Sequence, residues 1–335
     1  MWIFSQSAER IEMGFISRQI DKMYSGVLFR RHDPDGSIFY FSHSDFPGII
    51  KEDFSFESKR GHLLKGCFYR YGNARMDRLV VFEHGMGNGH TAYFREIEIL
   101  LRAGYLVYSY DHTGCNDSEG EHIYGLSGSL SDLDDCIRAL VRERGFSESQ
   151  ISVVGHSWGG FSTLNILSLH KELRSIVAVS GFISIPIMQK QTLPFVCYPF
   201  LSNLYELEKN ANPDFVKSSA IDTLSSTDRP ALIIHSVDDK TVSYKRNFLA
   251  MKSALEDKEN ISFLTARGSG HNPFYSKDAF EYKEAFFSDL KKKRKQGRLK
   301  TAEQKAAFVN SYDWYRMTEQ NKEIWNHILD FINKH

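Results

Sequence analysis

The chain has 335 residues, 41% hydrophobic and 25% charged, which suits one large α/β domain with insertions or two average domains. Forty-two basic residues balance forty-two acidic ones, so no net field favours nucleic acid or an anionic membrane as a partner. Four widely spaced cysteines, Cys67, Cys115, Cys136 and Cys197, contain no CxxC pair and read as reduced, buried thiols.

In chain order, the opening Met1-Trp2-Ile3-Phe4 is soon interrupted by Glu9, Arg10 and Glu12, so no signal peptide is expected. No apolar run approaches the roughly 18–20 residues that span a bilayer. A soluble, cytoplasmic protein without stable membrane insertion is the expectation. The segment before residue 36 has mixed helical character. Ile38–Ser42, Asp53–Ser58 and Leu63–Tyr69 resemble half-buried strands suited to an antiparallel edge, so residues 1–50 are read as an N-terminal extension with an edge strand.

Short apolar runs follow at Arg78–Glu83, Tyr105–Tyr110, Ile151–Val154, Ser175–Ser180, Ala231–His235 and Ile261–Thr265. They lack strict alternation, as strands covered on both faces do. Helical patterns lie between them, at about 91–103, 128–144, 159–171 and 243–256. The alternation predicts an α/β fold, a mainly parallel eight-stranded sheet with helices on both faces. Two regions break it. Residues 182–217, rich in Phe, Ile, Tyr and Pro, predict an inserted cap between core segments 51–181 and 218–335. Residues of about 276–317 form an insertion carrying the basic run Lys291–Lys295, which reads as a solvated helix end or loop. Ile324, Trp325, Ile328, Leu329 and Ile332 have the spacing of a terminal amphipathic helix.

The chemistry centres on Gly155-His156-Ser157-Trp158-Gly159-Gly160, directly after one predicted strand and opening a helix. A Gly-x-Ser-x-Gly pattern alone means little. At a sharp strand-to-helix turn, however, it lifts the hydroxyl clear of the sheet and leaves the next N–H at a helix N-terminus. The bland alternative is an N-cap serine after a glycine turn. A serine needs a base, and His271 stands in Gly270-His271-Asn272-Pro273 just after the last strand, where an open α/β sheet gathers its site. Its bland alternative is a surface-loop histidine. His156 is expected to be a packing residue, and His235 either core or a second donor. A carboxylate must fix the histidine tautomer, and Asp238 or Asp239 after the strand Ala231–His235 can serve. His84-Gly85-Met86-Gly87-Asn88-Gly89 follows the first buried strand, and its Met86 N–H joins the Trp158 N–H as a candidate oxyanion donor. It lacks the Lys-Ser/Thr of a phosphate loop and the Gly-x-Gly-x-x-Gly spacing of a dinucleotide site. Asp111, His112 and His84 lack metal-ligand spacing. No cofactor and no metal are expected.

Together these segments resemble the α/β-hydrolase superfamily over roughly residues 50–275 plus the terminal helix. His-Gly-Met-Gly, then Asp-x-x-Gly-x-x-x-Ser-x-Gly from Asp111, then Gly-x-Ser-x-Gly fall in the family's order. The family's acid loop often reads Asp-x-x-Val, which matches Asp239 to Val242 and favours Asp239. Ser236 stands where that loop usually has glycine, and 276–317 is longer than usual. The resemblance to serine hydrolases such as esterases and monoacylglycerol lipases implies an acyl-serine intermediate from Ser157, His271 and Asp239. The expected substrate is a carboxylic ester or thioester with a small, apolar acyl group, received under the cap near Phe195 and Phe200. Acyl transfer or amide cleavage by the same residues, and a non-catalytic ligand pocket, are the competing readings.

Overall fold

A computed structural model of the chain describes residues 16–87 and 89–335. Eight strands form one sheet: β1 (Ile50–Glu57), β2 (Leu63–Arg70), β3 (Arg75–Glu83), β4 (Tyr105–Tyr110), β5 (Ile151–His156), β6 (Ser175–Val179), β7 (Ala231–Ser236) and β8 (Ile261–Ala266). Their spatial order is β1-β2-β4-β3-β5-β6-β7-β8. β1 and β2 pair antiparallel, as do β2 and β4; every other pairing is parallel. All residues of β4, β5, β6 and β7 are buried, which explains their unbroken apolar sequences. Alternate residues feed two cores: Val81 and Val153 join one, Val80, Phe82 and Val154 the other.

Helix α1 covers residues 16–28. Then come α2 (Phe94–Arg102), α3 (Gly128–Arg144), α4 (Trp158–Asn165), α5 (Ile185–Thr192), α6 (Leu201–Ala211), α7 (Ala220–Ser225), α8 (Ala250–Ala254), α9 (Lys277–Lys295), α10 (Ala302–Val309), α11 (Trp314–Met317) and α12 (Lys322–Lys334). α3 ends on Gly145 in the left-handed region at φ 73°, the usual way to close a helix C-terminus. α12 starts at Asn321, whose side chain accepts from the Glu323 and Ile324 N–H groups, and it buries Ile324, Trp325, Ile328 and Ile332. Among the described residues no helix is long and apolar enough to cross a membrane. The four cysteines are buried and unpaired.

Two expectations need correction. Ile38–Ser42 is not a strand. Its aromatics instead build a ring cluster, with Phe41 4.7 Å from Tyr315 and Phe39 5.8 Å from Trp314. The antiparallel edge is β1, whose outer residues Lys51, Glu52 and Asp53 blunt it with charge. The pattern read as a helix over 243–256 is a π turn over Lys245–Leu249 followed by the short α8.

Residues 182–217 hold α5, a 3₁₀ segment Phe195–Phe200, and α6. α6 is anchored by Glu208, fully buried, which accepts from Leu126 N–H at 2.9 Å and from the Tyr24 hydroxyl of α1 at 2.7 Å. Burial pushes its carboxyl up to about 7. The unfolded chain therefore gives up this proton before the folded one, so the anchor weakens as pH rises from about 4.5 to 7. Glu208→Gln should raise the melting temperature at pH 8 and lose that advantage near pH 5. A gap that does not narrow on acidification would show that Glu208 is charged in the fold at both.

Residues 277–317 form α9, α10 and α11 around a small core of Phe286, Leu290, Leu299, Phe308 and Met317. The basic run occupies the last turn of α9, where cations oppose the negative end of the helix dipole, and Arg294 pairs with Asp35.

Candidate active site

β5 lies between β3 and β6, and Ser157 follows it directly with φ 57° and ψ −112°. A non-glycine residue pays about 1–3 kcal/mol for such backbone, so the surrounding structure must impose it. It does so by close packing. A Cβ at Gly155 would lie 2.3 Å from the Gly159 carbonyl, and one at Gly159 would lie 2.4 Å from the Glu83 carbonyl. The Ser157 N–H is fixed to the Val179 carbonyl at 2.8 Å, and α4 opens at Trp158.

The loops after β7 and β8 bring the other residues to this turn. His271 Nε2 is 2.7 Å from Ser157 Oγ, and His271 Nδ1 is 2.8 Å from Asp239 Oδ2. Asp239 Oδ1 accepts the Thr241 and Val242 N–H groups at 2.8 and 2.9 Å, and His235 Nε2 lies 3.1 Å from Oδ2. Burial opposes ionisation of Asp239, but the His235 and His271 hydrogen bonds overcome it and hold the carboxyl well below the usual carboxylate range. A carboxylate can only accept, so His271 carries its proton on Nδ1 and Nε2 is left to accept from Ser157. The arrangement can pass the Ser157 proton to His271 and stabilise the imidazolium that results.

Asp238 has a different place. Its Oδ1 accepts from Gly268 N–H at 2.9 Å and its Oδ2 from Gly270 N–H at 3.0 Å, which ties down the loop leading to His271. Sequence reasoning offered Asp238 as an alternative carboxylate for the histidine and did not foresee this anchoring of the loop. It also missed the polar role of His156, whose Nε2 lies 2.8 Å from the His271 carbonyl oxygen. Strand alternation was the available signal: His156 shares the face of Val154, which the chain after β8 covers.

The turn after β3 adjoins Ser157. Gly159 packs on the Glu83 and His84 carbonyls, and a Cβ at Gly85 would lie 3.4 Å from the His156 carbonyl. Met86 is half-buried against the larger core, and Gly87 holds φ 101°. Trp158 is fixed by its indole N–H to the Leu126 carbonyl at 2.6 Å and by the His112 ring at 4.8 Å. Beneath them His112 lies between Glu83 at 3.2 Å and Asp132 at 3.4 Å. Burial would drive it neutral, but those carboxylates raise it to about 9, so it stays charged as an internal counter-ion. Asp111 accepts from both the N–H and Nδ1 of His90, and His84 Nε2 accepts from His112 N–H. The group Asp111, His112 and His84 is thus consumed by pairings within the fold. Phe195 is 81% exposed beside Tyr198, whereas Phe200 is buried in the larger core, so these two do not share a surface.

A family model described as serine aminopeptidase, S33, matches residues 74–225. The chain is similar to the AB hydrolase superfamily protein YfhM of Bacillus subtilis, 28% identical over 186 residues, 55% of this chain and 57% of that one. It is also similar to the monoglyceride lipase of Rattus norvegicus, 27% identical over 123 residues, 35% of this chain and 36% of that one. The chain thus spans little more than half of one relative and about a third of the other. Among solved structures, the Pyrococcus furiosus esterase Pf2001 superposes with TM-score 0.56 at 20% identity, covering 77% of this chain and 96% of that one. The chain has the α/β-hydrolase fold. In this fold the turn after β5, the loop after β7 and the loop after β8 carry Ser157, Asp239 and His271 in that chain order.

Proposed function

We propose that this chain is a serine-dependent carboxylic-ester hydrolase of the α/β-hydrolase superfamily, acting through an acyl-Ser157 intermediate. The observation that carries the reading is the unbroken hydrogen-bonded line from Ser157 through His271 to Asp239, at 2.7 and 2.8 Å. In the first half-reaction Ser157 Oγ attacks the acyl carbon as its proton moves to His271 Nε2. The oxyanion is received by the Met86 and Trp158 N–H groups, and the alkoxide leaves with the proton from His271. In the second, water attacks the acyl-enzyme with His271 again as base. No step calls on a cofactor. The esterase and lipase names among the similar proteins support ester chemistry. The aminopeptidase description of the matching family favours amide cleavage as the second reading. An organophosphonate probe should label Ser157, and matched ester and amide chromogens should separate the readings. Faster turnover of the amide would replace the first with the second.

The acyl group is proposed to be small to medium and uncharged, because 182–205 offers many apolar side chains and Lys190 as its single charge. Each methylene buried would gain about 0.8 kcal/mol, nearly fourfold in binding, until the pocket fills. Across a panel of esters kcat/KM should rise from acetyl to longer chains and be low for charged acyl groups. Phe195→Ala tests this at an exposed position, and Phe200→Ala from inside the core. An optimum at acetyl, or a chain-length profile that neither change alters, would remove this segment from acyl recognition.

A further inference from the structure

The loop that presents His271 is shaped by two glycines and tied to the rest of the fold. Gly268 and Gly270 both hold positive φ, at 73° and 56°. Asp238 secures the loop ahead of the histidine. At the histidine itself the backbone is held through its carbonyl oxygen, 2.8 Å from His156 Nε2. His156 is 4% exposed, and its ring lies 4.9 Å from the His271 ring. A carbonyl can only accept, so His156 carries its proton on Nε2. Its Nδ1, 2.8 Å from the Tyr93 hydroxyl, then accepts the Tyr93 proton. Tyr93 in turn presses on the turn after β3: a Cβ at Gly85 would lie 2.4 Å from its hydroxyl oxygen. One chain of contacts therefore runs from the Met86 turn through Tyr93 and His156 to the backbone of the base.

We infer that Tyr93 and His156 brace the base loop against the oxyanion turn, making His156 a positioning residue for His271. The inference rests on the acyl-serine reading. Two physical consequences distinguish it from simple packing. A base displaced by about 1 Å from its nucleophile can lose on the order of 10²-fold in rate, while substrate binding need not change. The brace must also stay uncharged, since a second cation beside His271 would oppose the imidazolium that forms in the transition state. Burial and the nearby His271 push His156 down to about 3, so it meets that condition at any working pH.

The test compares His156→Phe, which keeps a ring but no donor, with His156→Gln, whose amide N–H reaches about as far as Nε2. Tyr93→Phe removes only the hydroxyl. His156→Phe should lower kcat roughly 10- to 100-fold, with KM changed far less. His156→Gln should recover most of that loss, and Tyr93→Phe should cost less than His156→Phe. The double Phe variant should be no worse than His156→Phe alone, because the two residues act as one unit. Equal damage from Phe and Gln, full activity in His156→Phe, or losses confined to KM would overturn the brace. If His156→Phe does not fold, a Tyr93→Phe kcat equal to wild type overturns it instead. Hydrolysis surviving in Ser157→Ala would remove the acyl-serine reading first and the brace with it. The brace alone fails when Ser157→Ala is inactive and the His156 variants behave as stated against it.

Discussion

Ser157→Ala should lower kcat by on the order of 10⁶ and abolish adduct formation with a phosphonate probe. The size follows from what the hydroxyl does: without it there is no covalent route, and only the oxyanion donors and binding remain. The fold should hardly notice. Among the described residues the Ser157 side chain hydrogen-bonds only to His271, and alanine meets the same backbone demand at φ 57° as serine does. The thermal transition of the variant should therefore lie close to that of the parent. Mass spectrometry of the labelled parent checks the site, and an adduct on any other serine would sink the assignment.

Asp239→Asn should cost about 10⁴ in kcat by favouring the wrong tautomer of His271. Asp239 receives hydrogen bonds on both oxygens, from two backbone N–H groups and from His271, with His235 Nε2 3.1 Å from Oδ2. An amide NH₂ facing His271 forces Nδ1 to accept, which puts the proton on Nε2, where it cannot take one from Ser157. Asp238→Asn should be far milder. It weakens one of the two bonds to the Gly268 and Gly270 N–H groups, a loss of about 1–2 kcal/mol in loop anchoring. The two kcat values, measured side by side, decide between the adjacent carboxylates. A larger loss at Asp238 would move the acid by one residue.

The parallel strands and the serine turn were legible because their signals are local. A buried parallel strand is a continuous apolar run, and the turn needs its glycines within a few residues of Ser157. The aromatic stretch Ile38–Ser42 misled for a related reason. Its β propensity is real, but a ladder needs a free neighbouring edge, and its rings found Tyr315 and Trp314 instead. The contacts that stayed hidden join distant parts of the chain. Tyr24 and Glu208 are 184 positions apart, and His156 and His271 are 115 apart. No periodicity encodes such pairs. The N-terminal segment likewise gave no sign that α1 would dock on α6.

The close approaches around Ser157 divide the motif between two masters. Gly155, Gly159 and Gly160 answer to folding: a methyl group at the first two would strike the Gly159 and Glu83 carbonyls, and at the third would crowd the Gly181 backbone at 2.9 Å. Ser157 answers to chemistry alone. A descendant of this chain that gave up hydrolysis to serve as a scaffold could discard the serine at once, yet would have to keep the glycines to remain folded. The motif's outline would then outlive its activity, and only the residue at its centre, with the histidine opposite, would record the change.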